Sequence, residues 1–136
     1  MSSKKSGRAE GRIEVKKYEP QTYDEAGGGP KLAAIDVVEN FVGDIEGEGR
    51  ARFLQAARAD GSASFVGMER VTGTLGGRKG TFLLQDSGTL VGNEVSGEWF
   101  VVPGSGTGDL AGLRGEGGFR AKLGQHATIW LDYRWE

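Results

Sequence analysis

Glu69 and Asp86 are the two residues whose types and spacing could do chemistry together. Gly76-Gly77 between them reads as a two-residue hairpin turn. Counting outward sets Leu75 opposite Arg78, Val71 opposite Phe82, Glu69 opposite Leu84 and Gly67 opposite Asp86. Glu69 and Asp86 are then diagonal cross-strand neighbours on one face, with Cβ atoms about 7–8 Å apart or less. Two carboxyl groups this close in an apolar setting cannot both ionise cheaply. One can serve as general acid and the other as base or as a cation anchor.

Neighbouring turns extend the face. Gly92-Asn93, a second two-residue turn, sets Asp86 opposite Trp99, Leu84 opposite Val101 and Gly88 opposite Gly97. Asp60-Gly61-Ser62, read as a three-residue hairpin loop, sets Phe53 opposite Glu69 and Gln55 opposite Gly67. The same face carries Phe65, Val71 and Phe82, while the other carries Arg50, Arg52, Arg70, Thr72, Thr74, Lys79, Thr81, Ser87 and Glu98. The first is therefore the interior. Ile129, Leu131, Tyr133 and Trp135 alternate with Trp130, Asp132 and Arg134, which turns Tyr133 inward as well. The candidate site is Glu69 and Asp86 for acid–base work, with Phe53, Gln55, Trp99 and Tyr133 binding a ligand. The competing reading ties the carboxyls into a structural network through backbone amides, Tyr133 or Trp99.

Strands must position these groups. The pattern predicts them over Glu10–Tyr18, Leu32–Val42, Ile45–Ala59, Ala63–Leu75, Arg78–Val91, Glu94–Val102, Gly115–Leu123 and Ile129–Trp135. Glu19–Pro30, with two prolines and a glycine run, reads as a loop. On Leu32–Val42 the faces Ala34/Asp36/Val38/Asn40 and Ala33/Ile35/Val37/Glu39 are too alike to choose between. Pro103–Gly118 is too rich in glycine for a helix and predicts a compact loop with about one turn at Asp109–Ala111. About eight strands joined by hairpins leave unpaired edges unless they close. The expected architecture is all-β, a closed antiparallel barrel that is filled or holds one small ligand. A sandwich is the alternative.

Composition narrows the function classes. One domain, 9–136, follows a predicted disordered tail at 1–8. The 25 glycines show no Gly-X-Y period, which excludes collagen. A net charge of −2 with mixed signs argues against a nucleic-acid surface. No cysteine is present, and His126 is the single histidine, so neither a metal site, a cofactor nor a His-paired nucleophile is expected. Gly106-x-Gly108-x-x-Ala111 fits a loose dinucleotide pattern, but the glycines after it deny the helix that pattern needs. Asp44-x-Glu46-x-Glu48-Gly49 opens like a calcium loop, yet Gln55 stands where the closing glutamate belongs. There is no apolar run of ~18 residues and no secretion signal, so a cytoplasmic protein away from membranes is expected.

Gly106-Thr107-Gly108-Asp109-Leu110-Ala111-Gly112-Leu113-Arg114-Gly115 resembles the Gly-Thr-Gly segment late in the allene oxide cyclase and dirigent barrels. Nearly the whole chain, from Arg12 to Glu136, is similar to an uncharacterised bacterial family of small domains assigned to that barrel. The segments that carry this are Tyr23-Asp24-Glu25, Gly28–Leu32, Gly43–Gly49, Asp60–Gly67 and Leu131-Asp132-Tyr133. The resemblance implies a fold and transfers no catalytic residue. Three functions compete: a barrel binding a small apolar molecule, with isomerase or cyclase activity; a non-catalytic carrier; and a self-associating scaffold with a packed interior. Phe100 and Trp130, placed outward, predict a homodimer or homotrimer.

Overall fold

Eight antiparallel strands pair in sequence order and close on themselves. The computed structural model describes residues 6–25 and 27–136. The strands are β1 (Gly7–Glu25), β2 (Lys31–Gly43), β3 (Ile45–Ala57), β4 (Ala63–Leu75), β5 (Arg78–Val91), β6 (Glu94–Val101), β7 (Leu113–Lys122) and β8 (Ala127–Trp135). The barrel expected from the hairpin series is the one observed, and every strand feeds its neighbour through a short connection except β6, which reaches β7 through the glycine-rich segment.

Both two-residue turns set the registers counted from them. Glu69 opposes Leu84, Gly67 opposes Asp86, and Asp86 opposes Trp99. The third turn corrects the sequence reading. Phe53 opposes Gly67 and Gln55 opposes Phe65, while Glu69 faces Ala51. The pairing ends at Ala57↔Ala63, because Arg58 and Ser62 belong to the loop. Arg58 binds Ser62 through its backbone and side chain, and Asp60 accepts from the Ser62 N–H and hydroxyl. The slip is two residues, so every side chain keeps its predicted face.

β1 is longer than the sequence pattern indicates. It starts at Gly7, inside the segment read as a tail, and runs through Pro20 to Glu25. The rest of that predicted tail, 1–5, lies outside the described residues. Pro20 pairs with Ile35 on β2, whereas β8 reaches β1 only from Gly7 to Ile13. Beyond Ile13 β1 is an edge, and an edge tolerates proline because the missing N–H belongs to no ladder.

The glycine-rich segment closes one end of the barrel. Its single turn of 3-10 helix, Gly108–Leu110, presses Leu110 into the core with no exposure. Around it the chain bonds to the part of β5 that short β6 leaves open. Thr107 N–H donates to Thr81 O, Thr81 N–H donates to Thr107 Oγ1, and Leu83 N–H donates to Ser105 Oγ. Gly108 takes a positive φ of 60°, and a side chain at Gly106 would strike the Leu110 carbonyl. Those two positions explain why the loop is built from glycine. Trp130, read as an idle outward aromatic, lies half-buried over Gly118 with Arg120 above it, whereas Phe100 stays exposed.

Candidate functional site

At the end opposite Leu110 the interior is not filled. A cavity of about 630 Å³ runs from buried Trp99 to exposed Val15, Tyr18 and Leu123. Its mouth lies where β1 leaves β8, between Glu14–Val15 and the end of β7 at Lys122 with the turn that follows it to His126. Its walls are aromatic. Phe53 meets Phe65 edge-on at 5.6 Å, Phe65 stacks on Phe119 at 6.1 Å, and Phe119 meets Trp99 at 5.1 Å.

Glycines place these rings. Phe53 lies over Gly67, Phe65 over Gly88 and Phe119 over Gly97, each ring on the glycine directly opposite it. A methyl group at any of the three would collide with its ring. The rings therefore lie flat along the wall and leave the centre open.

Three carboxyl groups are buried among the apolar side chains: Glu39, Glu69 and Asp86, at 7%, 1% and 2% exposure. Glu39 and Asp86 line the cavity. Glu69 stands behind them, over Gly49, where even a methyl would strike Glu69 Oε2 and the Phe41 ring. Glu39 is paired with Gly49, so the missing side chain lets the two glutamate carboxyls approach and share a proton. Two carboxyl groups make that contact only when one keeps its proton. Beyond the facing carboxyl of Glu39, no donor of the protein reaches either Glu69 oxygen, and none reaches Asp86 Oδ1.

Burial is the main force on all three groups, because the ionised form loses water. It raises Glu39, while the hydrogen bond from Glu69 pulls in the other direction. It raises Glu69 well above the usual carboxylate range, helped by the bond to Glu39 and by the charges of Glu39 and Asp86. Asp86 is pushed up to about 8 by burial and then by the charge of Glu39. The two glutamates thus share a proton as a pair.

Of the residues singled out in the sequence, the structure brings Asp86, Phe53, Gln55 and Trp99 to the cavity wall, with Glu69 behind it. Tyr133 is not among them. It packs on the core at the other end, over Gly7 and beside Trp135. The Trp99 indole N–H donates to Trp130 O at 3.1 Å, so it serves neither the carboxyls nor a ligand. A network through Tyr133 or Trp99 is therefore ruled out as the carboxyls' partner. Glu39 and Phe119 were missed. Choosing the Ala33/Ile35/Val37/Glu39 face of β2 as the inner one would have found Glu39.

Among the described residues no helix is long and apolar enough to cross a membrane, and no group of three or more His, Cys, Asp or Glu is arranged to hold a metal ion. The family model described as "Protein of unknown function (DUF3224)" matches residues 9–133. A crystal structure of a protein of unknown function from the same family, from Shewanella oneidensis MR-1, is similar to this chain at a TM-score of 0.82 and 30% identity. That match covers 97% of this chain and 99% of the other. No curated protein matches. The finer likeness to allene oxide cyclase and dirigent barrels is not shown by these matches.

Proposed function

We propose that this chain, which belongs to the DUF3224 family of proteins of unknown function, is a small-molecule-binding barrel. It holds a largely apolar ligand in its open end, with the ligand's polar group against Asp86 and Glu39. The observation that carries the reading is Asp86: buried, on the cavity wall and with Oδ1 lacking a partner. An unsatisfied buried acceptor costs about 1–3 kcal/mol, which a ligand can recover. The cavity's size and aromatic wall suit a drug-sized molecule, and an interior this open speaks against a scaffold packed solid.

A second reading adds proton transfer. Glu39 and Glu69 share a proton, and Asp86 holds its own at neutral pH. Such a set can protonate one ligand atom and deprotonate another, which is the work of an isomerase and needs no co-reactant.

Titration with the neutral dye Nile red tests the binding reading. The wild-type chain should enhance its emission, and Ala121→Trp, which fills the cavity wall, should abolish the enhancement while leaving the fold intact by circular dichroism. Enhancement that survives Ala121→Trp would place the dye elsewhere and defeat the reading.

A further inference from the structure

We propose that the ligand is an organic cation, an amine on an apolar body, whose ammonium group is held by Asp86 and Glu39. The inference rests on the reading of the cavity as a ligand site and names the class of molecule that site takes.

Among the described residues the buried charged or polar side chains are Glu39, Glu69 and Asp86, with no buried Lys, Arg or His beside them. Three carboxyl groups carry six oxygens and at most three protons, so acceptors outnumber donors in every protonation state. The Trp99 N–H is already spent on Trp130 O. Gln55, half-buried on the wall, brings one amide with an acceptor of its own and leaves the excess of acceptors standing. A molecule that completes this site gains by bringing donors, and an ammonium brings up to three with a matching charge. The walls agree, because the faces of Trp99, Phe119 and Phe65 attract a cation. A metal ion fits less well, since no group of three ligating side chains among the described residues is arranged to hold one.

Binding should release a proton. The titratable groups facing Asp86 are Glu39 from β2 and Glu69 from β4, while β6 and β7 offer aromatic rings. Glu14, Lys122 and His126 stand at the mouth. Asp86 must give up its proton to face an ammonium. Affinity for an amine therefore rises with pH up to about 8, where Asp86 of the free protein ionises, and then levels off.

Calorimetry on the full chain with three probes of one shape tests this: naphthylethylamine, naphthylethanol and naphthylacetate, with Nile red as a separate neutral probe. The amine should bind about tenfold or more tighter than the alcohol, naphthylacetate should bind worst, and the heat should vary with buffer ionisation as a proton leaves. Asp86→Asn should remove the preference for the amine and keep the affinity for the alcohol. If that variant does not fold, Glu39→Gln serves in its place with the same expectation. Equal binding of amine and alcohol, or a preference that survives both substitutions, overturns the cation and leaves the cavity reading standing. Failure of all three probes while Nile red binds does the same. Failure of all three together with Nile red overturns both.

Discussion

Glu39 and Glu69 meet carboxyl to carboxyl across the space that Gly49 leaves empty. Each comes from a different strand, and the bare glycine of β3 between them is what allows the contact. With Asp86 they form an acidic floor to an aromatic cavity, and among the described residues no buried cation neutralises it.

Glu69→Gln keeps a donor toward Glu39 and removes a group whose burial opposes ionisation. Its stability at neutral pH should be equal to or above wild type. If Glu69 instead belonged to a satisfied network, the change should cost about 1–3 kcal/mol. Denaturant melts distinguish these results.

Stability should peak on the acid side of neutrality. The folded state holds protons on Glu39, Glu69 and Asp86 more tightly than the unfolded chain. Their contribution is complete below the unfolded values and fades as pH rises, for Asp86 between 3.8 and about 8. The exposed carboxylates paired with arginine behave oppositely. Asp36, Glu116 and Asp132 sit below their usual values, held by Arg52, Arg134 and Arg8, so their contribution is lost as pH falls through the acid range. Thermal melts from pH 4 to pH 8 should show a falling midpoint, and Asp86→Asn should flatten the fall. A rising midpoint over that range contradicts the burial of charge described here.

Gly49→Ala forces a methyl against Glu69 Oε2 and the Phe41 ring. Overpacking of this kind costs about 1–3 kcal/mol. In a Glu69→Ala background the cost should be smaller, because one of the two clashes is gone. An unchanged cost, measured by a double-mutant cycle, would mean that Glu69 does not occupy the space over Gly49.

Much of this was legible in the sequence, and the gaps have physical causes. Gly76-Gly77 and Gly92-Asn93 allow only one tight pairing each, so Glu69, Asp86 and Trp99 could be placed by counting. The Asp60–Ser62 turn could not be sized the same way, because side-chain bonds among Arg58, Asp60 and Ser62 widen it. β2 carries apolar residues on both faces, and so Glu39 stayed hidden until its neighbours were known. Pro20 signals a loop in any local reading, and only the missing β8 partner explains a strand there. Tyr133 faces the core as its alternation suggests, but alternation fixes a face and not a height along the barrel.

The two ends of the barrel should respond differently to truncation. Leu110 plugs the closed end, and Leu110→Ala should cost about 2–5 kcal/mol without changing uptake of a ligand at the open end. Loss of binding in a folded Leu110→Ala chain would show that the ends are not independent.

The most direct test of the account is where a bound molecule sits. Nuclear Overhauser contacts from naphthylethylamine to the side chains report this. They should connect the probe to Phe119, Trp99 and Phe65, and not to Tyr133. Contacts confined to the exposed outer residues Leu54, Val66 and Met68, or to Tyr133, would contradict the cavity as the site.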